Sequence, residues 1–420
     1  MATAEKTGSG KKCVIIGASH AGVSCAYALR SEGWAGDIVL IDADPELPYH
    51  RPPLSKSYLA GAEGRALQPL RSAENYEREN IELRLGVRVA AIDRAATELE
   101  LGGGERLPYD KLVLAVGARA LVPPIPGLDA ANSVYPLRSA ADVEQIRTAL
   151  ADGTKRRVVI IGGGYIGLET AASLTKIGAK VKVIEREERV LARVTTPEMS
   201  AFFTELHENN GVEVLTGRSV ISFSSDGEVT KVNCTDGSVH PADVVILGVG
   251  VRVNTELAEA AGLTVQNGIR VNEFTATNDE NIFAIGDCAY HRNPHYDSLV
   301  RLESVQNAVD QAKVAAAAVC GREIAYDAIP WFWSDQYDVK LQIVGLSGGY
   351  DRAILREEAG DDVKFSIWYF AGQRLLAVDA VNNARAYVIG TKLISSGAVI
   401  DQAKLADPET VLKPANILAE

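Results

Sequence analysis

The sequence predicts an α/β protein built from two doubly wound halves and a C-terminal α+β domain, and three observations carry that prediction. A strand, a glycine-rich turn and a helix occur twice, 145 residues apart, at Gly17 and at Gly162. Each turn is followed by a further strand that ends on an acid: Asp42 lies 25 positions after Gly17, and Glu185 lies 23 after Gly162. The composition then changes at Pro330, and three of the four tryptophans collect in the segment beyond it.

The first unit starts with the apolar run Val14-Ile15-Ile16 and turns through Gly17-Ala18-Ser19-His20-Ala21-Gly22. A helix is expected from about His20 to Glu32, with Val23, Ala26, Tyr27 and Leu29 inward and Gly33 as its stop. The strand 38–41 follows, closed by Asp42. In the second unit, Val158–Ile161 leads into Gly162-Gly163-Gly164-Tyr165-Ile166-Gly167. Its helix is expected to turn Ile166, Ala171, Leu174 and Ile177 inward and to stop at Gly178, before the strand 181–184 and Glu185. Each unit has a later strand that runs into glycine, 109–117 and 242–250, so the duplication covers whole domains. The proline-rich run 122–127 reads as a linker. The run Asn281–Asp287 supplies a closing strand for the first half, to which the chain is expected to return. After Pro330, strands over 340–344, 363–370 and 375–381 precede a helix from about Ala384 to Ser395. The expected domains are 1–122 with 251–328, then 123–250, then 329–420.

The chemistry of the turns follows from backbone geometry. Gly17 and Gly162 allow the tight bend, and Gly22 and Gly167 allow helix and strand to pack closely. The middle position, Ser19 in one turn and Gly164 in the other, lets the backbone approach a pyrophosphate seated on the helix N-terminus. The strand-end acid then accepts hydrogen bonds from a ribose. Two such turns imply two dinucleotides held at once, which is what a flavin enzyme fed by a nicotinamide requires. Glu185 would repel a 2′-phosphate, so NADH is expected in preference to NADPH; the neighbouring Arg186 is the one contrary sign.

The bulk numbers exclude other classes. A chain of 420 residues with 47% apolar and 23% charged residues divides into several globular domains. The net charge of −12 argues against nucleic acid as a partner. The polar stretch Met1–Lys12 is expected not to be a signal peptide, no apolar run is long enough to span a bilayer, and the cytoplasm is the expected location. The five cysteines have no Cys-x-x-Cys pair, which argues against a disulfide of neighbouring cysteines and against an iron–sulfur cluster within this chain. His291 and His295 flank a loop without a third ligand nearby, so no metal is expected.

Five further segments stand out, of which the run Arg51–Lys56 and the Trp-Phe-Trp-Ser-Asp run are specific: Tyr49-His50-Arg51-Pro52-Pro53-Leu54-Ser55-Lys56, Leu137-Arg138-Ser139, Ile285-Gly286-Asp287, Arg301–Asn307 and Pro330-Trp331-Phe332-Trp333-Ser334-Asp335-Gln336. Together they resemble the motifs of putidaredoxin reductase-like ferredoxin reductases, and the resemblance runs from about Lys12 to Lys413. It implies two doubly wound dinucleotide-binding domains in a glutathione-reductase-like arrangement plus the C-terminal α+β domain. It also implies FAD, NADH as reductant, and single-electron delivery to a separate two-iron ferredoxin that serves a haem-thiolate monooxygenase or a ring-hydroxylating dioxygenase. A monomer is the expected state.

Carried over by position, the resemblance gives FAD the residues Ala21, Arg51, Lys56, Val89, Gly117, Arg138, Asp287 and Val305. The NAD side takes Gly162, Gly164, Ile166, Gly167, Glu185 and Gly250. Relatives often show Gly-Asp-Glu where this chain has Asp42-Ala43-Asp44, so either aspartate is a candidate for the adenosine ribose. The run Gly250–Asn254 lacks a proline that relatives place before the asparagine. Lys56 and Glu169 are the expected pair beside flavin N5, where a cation stabilises the reduced ring; the bland alternative is an ion pair that only holds domains in register. Trp331 and Trp333 either fill the core of the third domain or place one ring, taken here as Trp333, at the flavin edge facing the acceptor. Lys313, Arg322 and Lys340 are candidates for a basic docking patch. Two rivals stand beside this reading: an NADH oxidase or peroxidase on the same fold, which would need a cysteine beside the flavin, and, of a different class, a signalling flavoprotein of the apoptosis-inducing-factor type, which acidic charge disfavours.

Overall fold

The computed structural model describes residues 10–61, 67–131, 133–151, 153, 156–360 and 363–419. The chain forms two compact units: Met1–His50, Gln68–Arg119 and Val253–Trp331 make one, and Arg51–Leu67, Ala120–Arg252 and Phe332–Glu420 make the other.

The first unit is organised by a five-stranded parallel sheet in the order Ile282–Ala284, Lys111–Leu114, Lys12–Ile16, Asp37–Asp42, Ile81–Leu85. Its central strands are continuous apolar runs because both faces are covered. On one face the helix His20–Ser31 packs against the helix Val305–Val319, through Cys25, Ala26 and Leu29 on the first and Ala312, Ala315 and Ala316 on the second. The small alanines let the two backbones approach. On the other face Val14, Ile16, Val39 and Ile41 meet Leu99, Leu101 and Leu107. Those leucines come from an antiparallel meander, Val89–Asp93, Glu98–Leu101 and Arg106–Pro108. The strand Ile282–Ala284 lies beside Lys111–Leu114, so the late return of the chain to this sheet is a feature of the fold.

The second unit repeats the plan. Its parallel sheet runs Glu213–Leu215, Lys180–Ile184, Arg157–Ile161, Val244–Leu247, Val134–Pro136. A second meander, Val220–Asp226, Val229–Cys234 and Val239–Ala242, covers one face, where Phe223, Val232 and Cys234 pack on Val159, Ile161 and Val245. The duplication therefore includes the meanders, which short and polar strands conceal in the sequence. The same unit holds most of an antiparallel sheet ordered Trp331–Gln336, Val339–Gly345, Arg374–Val381, Phe365–Ala371, Arg352–Glu357, with the helix Ala384–Ser396 packed on it.

Some expected burial is corrected. Ile166 is 45% exposed and Ile177 is 44% exposed, whereas Leu168, Ala171, Ala172 and Leu174 form the buried face of the helix Tyr165–Lys176. Ile166 sits in the first turn, off that stripe, and Ile177 lies just past the last helical residue. In the first helix Val23, Ala26 and Leu29 are buried, but Tyr27 is only partly so and meets the edge of Tyr76.

Candidate functional site

The two turns match in their internal contacts. Gly17 has φ +105° and Gly162 φ +109°, a conformation that L side chains avoid. A Cβ on Gly17 would lie 2.2 Å from the Ala115 carbonyl oxygen, and one on Gly162 would lie 2.3 Å from that of Gly248. Gly22 and Gly167 press on the same turns: a Cβ would meet the Gly17 oxygen at 1.8 Å and the Gly162 oxygen at 2.0 Å. Only glycine fits these four places. Gly164 is different, because a Cβ there would meet no atom within 4 Å. Its backbone faces open space at the mouth of the turn, as close approach of a pyrophosphate requires.

The helix starts agree. Among the described helices longer than ten residues, those beginning at Ala140, Pro197, Val305 and Ala384 are capped by the side chain of Ser139, Thr196, Ser304 or Asn383. The helices His20–Ser31 and Tyr165–Lys176, which follow the glycine turns, have no side-chain cap. A helix start without a side-chain cap is suited to an anion.

The strand-end acids are equivalent as well. Ala18 N–H donates to Asp42 Oδ2 across 2.5 Å, and Gly163 N–H donates to Glu185 Oε2 across 2.6 Å. The other oxygens accept from Asp44 N–H at 2.9 Å and from Glu187 N–H at 2.9 Å. Asp44 instead accepts the Tyr49 hydroxyl at 2.9 Å and the Glu46 N–H at 3.1 Å. Of the two aspartates, Asp42 is the geometric counterpart of Glu185. The contrary sign at Arg186 is weak, since that guanidinium pairs with Glu187 at 3.1 Å and is mostly exposed.

Lys56 and Glu169 meet at 2.7 Å, with Lys56 partly exposed and Glu169 only 2% exposed. The carboxylate is fully engaged: Ser55 Oγ donates to Oε2 at 2.6 Å and Ser334 Oγ donates to Oε1 at 2.7 Å. Ser173, one helical turn beyond Glu169, donates to the Ser55 carbonyl at 2.7 Å, so two side chains on one helix face hold the loop of Lys56. Ser55 and Ser334 were not singled out from sequence, although each stands inside a segment that was. A serine alone has no periodicity or charge to mark it.

Arg51 and Arg138 are joined, because an Arg51 N–H donates to the Arg138 carbonyl at 2.8 Å. In the first unit Ala21 and Val89 are buried, and Asp287 is half-buried in a short 3₁₀ turn. That turn is held from beneath by Gln311 Oε1, which accepts the Gly286 N–H at 2.8 Å. Val305 opens the long helix capped by Ser304, and Gly117 and Gly250 each take positive φ just past their strands. Trp333 is half-buried beside Phe332, whose ring packs 5.0 Å from that of Tyr165.

Comparison with known proteins fixes the family. Residues 11–312 match the pyridine nucleotide-disulphide oxidoreductase family, and 331–416 match the reductase C-terminal family. Putidaredoxin reductase CamA of Pseudomonas putida is 44% identical over 405 residues, 95% of this chain and 95% of that protein. The chain belongs to the putidaredoxin reductase-like ferredoxin reductases. Another relative is the ferredoxin–NAD(+) reductase component of the anthranilate 1,2-dioxygenase system of Burkholderia cepacia, 41% identical and covering 95% of this chain and 98% of its own. The crystal structure of the covalent putidaredoxin reductase–putidaredoxin complex contains a chain with the same fold, with a TM-score of 0.90, 44% identity, and coverage of 96% and 97%.

The family uses FAD and NAD(H), and the two turns, the open space at Gly164 and the strand-end acids fit both groups. In this ferredoxin reductase burial raises the pKa of every cysteine thiol. All five are free, and burial pushes the thiol of Cys288, next to Asp287, up to about 11. Burial also holds His291 down to about 4, and the described residues hold no group of three or more side chains suited to a metal ion. No described helix is long and apolar enough to cross a membrane. Two candidates for the basic patch are locally neutralised: Lys313 pairs with Asp310 at 2.9 Å and Arg322 with Glu32 at 2.7 Å.

Proposed function

We propose that this reductase oxidises NADH and delivers electrons singly to a separate two-iron ferredoxin, which serves a haem-thiolate monooxygenase or a ring-hydroxylating dioxygenase. The observation that carries the reading is the paired bond from turn to acid, Ala18 to Asp42 and Gly163 to Glu185. It equips one chain to hold two dinucleotides by one design. When bound, FAD supplies the step from two-electron to one-electron chemistry. Asp42 holds the adenosine ribose of FAD and Glu185 that of NADH. The family resemblance further assigns to FAD Val89, Asp287 and Val305 of the first unit and Arg51 and Arg138 of the second, with Lys56 as the cation that favours negative charge on the reduced ring. Glu169 aims Lys56, and Trp333 lines the route to the acceptor.

The buried, protonated state of Cys288 speaks against the oxidase chemistry that works through a thiolate. Five free cysteines accord with a reducing, cytoplasmic setting. The test is anaerobic: NADH should bleach the flavin, and cytochrome c should be reduced rapidly only when a two-iron ferredoxin is added. In a parallel aerobic assay, rapid reduction of oxygen or peroxide with no gain from ferredoxin would overturn the reading.

A further inference from the structure

Glu169 is the end point of a chain of hydrogen bonds whose direction is fixed by chemistry. A carboxylate has only lone pairs, so Ser334 must donate to Glu169 Oε1, at 2.7 Å. The Ser334 oxygen is then an acceptor, and Gln336 turns its amide nitrogen to it at 3.2 Å. That leaves the Gln336 carbonyl oxygen facing His207 Nε2 at 2.9 Å, so the imidazole carries its proton on Nε2. His207 Nδ1 is left as an acceptor for the Tyr337 hydroxyl at 3.4 Å. Burial lowers the pKa of His207 and favours the neutral ring this pattern needs. His207, Gln336, Ser334 and Glu169 are all buried.

We infer that Ser334, oriented by Gln336 and His207, is a positioning residue that sets the Glu169 carboxylate and through it the Lys56 ammonium. Every donor in the chain points toward Glu169, and Ser334 on Oε1 together with Ser55 and Lys56 on Oε2 engages both carboxylate oxygens. The helix Pro197–Asn209 supplies His207 and the strand Trp331–Gln336 supplies Ser334 and Gln336. The Trp-Ser-Asp-Gln segment therefore acts on the ion pair by a route independent of the aromatic rings beside it. This inference rests on the reading of Lys56 and Glu169 as the flavin-side pair.

The test compares Ser334→Ala, Ser334→Thr and Gln336→Met with Lys56→Ala and Glu169→Gln in the FAD-loaded enzyme. Four quantities are read: the limiting rate of flavin reduction by NADH, the Kd for NADH, the flavin midpoint potential and the melting temperature. Ser334→Ala is expected to slow reduction roughly threefold to tenfold, the range of one net hydrogen bond, with the Kd for NADH unchanged. It should also make the midpoint potential more negative. Ser334→Thr should restore both, Gln336→Met should act like Ser334→Ala more weakly, and Ser334→Ala should add nothing to Glu169→Gln in rate or melting temperature. If Lys56→Ala and Glu169→Gln slow reduction while the Ser334 and Gln336 variants match the wild type, the chain has no such role and the ion-pair reading survives. If Lys56→Ala leaves rate and potential unchanged, that reading fails and this inference with it. Should Ser334→Ala not fold, Ser334→Thr and Gln336→Met decide by the same readouts.

Discussion

The Tyr369 hydroxyl donates to Asp379 Oδ2 across 2.6 Å, and Thr195 donates to the same oxygen at 2.8 Å, in a pocket where all three side chains are buried. Burial outweighs these two bonds and pushes the Asp379 carboxyl up to about 6. Between pH 4 and 6 the folded chain therefore holds a proton that the unfolded chain has released. Stability contributed by this group is present at low pH and falls as pH rises through that window. A shift of about two units corresponds to at most roughly 3 kcal/mol. Asp379→Asn should remove this fall. Urea titrations of both proteins at pH 4.5 and 6.5 measure it; equal pH slopes would show that the carboxyl is not raised.

His291 should produce the opposite slope. Its Nδ1 faces the Gln311 amide at 3.2 Å, its Nε2 is buried without a hydrogen-bond partner, and burial lowers its pKa to about 4. Between that value and the ordinary histidine range the unfolded chain takes up a proton and the folded chain does not. Stability from this group is thus full at neutral pH and lost as pH falls, again by about 3 kcal/mol at most. His291→Phe should flatten that loss in the same urea titrations. Because the Asp379 and His291 slopes oppose each other, the two variants should shift the wild-type pH dependence between pH 4.5 and 6.5 in opposite directions.

The glycine turns were legible because their spacing is set by geometry. A bend that admits no Cβ at Gly17 or Gly162, followed by an acid that must reach back to the turn, leaves a mark in any sequence that folds this way. The meanders left none, since strands such as Arg106–Pro108 are three residues long and half polar. The strand Arg352–Glu357 was missed for a related reason: it has charges at both ends, one of them the buried Arg356, which bonds the Leu405 and Asp407 carbonyls at 2.8 Å each. Ile166 misled in the other direction, because an apolar residue at a turn mouth mimics one in a core stripe. Lys56 and Glu169 were paired by family resemblance alone. No pattern linked Ser334 to them, because the contact spans 165 positions and involves a neutral side chain.

Alanine at two neighbouring glycines should separate folding from binding. Gly162→Ala puts a Cβ 2.3 Å from the Gly248 oxygen at φ +109°, which should cost more than about 2 kcal/mol and lower the melting temperature. Gly164→Ala meets nothing within 4 Å at φ −81°, so the fold should be unaffected. The new methyl group nevertheless occupies the space assigned to the NADH pyrophosphate. Gly164→Ala should therefore raise the KM for NADH about tenfold or more, at unchanged flavin content and melting temperature. An unaltered KM would move the nicotinamide dinucleotide away from this turn.

On the reading proposed here, Glu185 sets the choice between NADH and NADPH. Its oxygens accept the Gly163 and Glu187 N–H groups at 2.6 and 2.9 Å, which fixes the carboxylate at the strand end with a lone pair left on each for a ribose hydroxyl. Glu185→Gln keeps the size but replaces one acceptor by a donor that must oppose a backbone N–H. Loss of charge-assisted bonds should cut kcat/KM for NADH by roughly ten- to a hundredfold. The same change removes negative charge that repels a 2′-phosphate, so NADPH should lose less, and the ratio between the two should narrow. Flavin content should stay normal, because the proposed function gives the FAD ribose to Asp42 in the other half. Steady-state kinetics with both nucleotides decide the matter: a ratio unchanged from the wild type would place cofactor choice elsewhere.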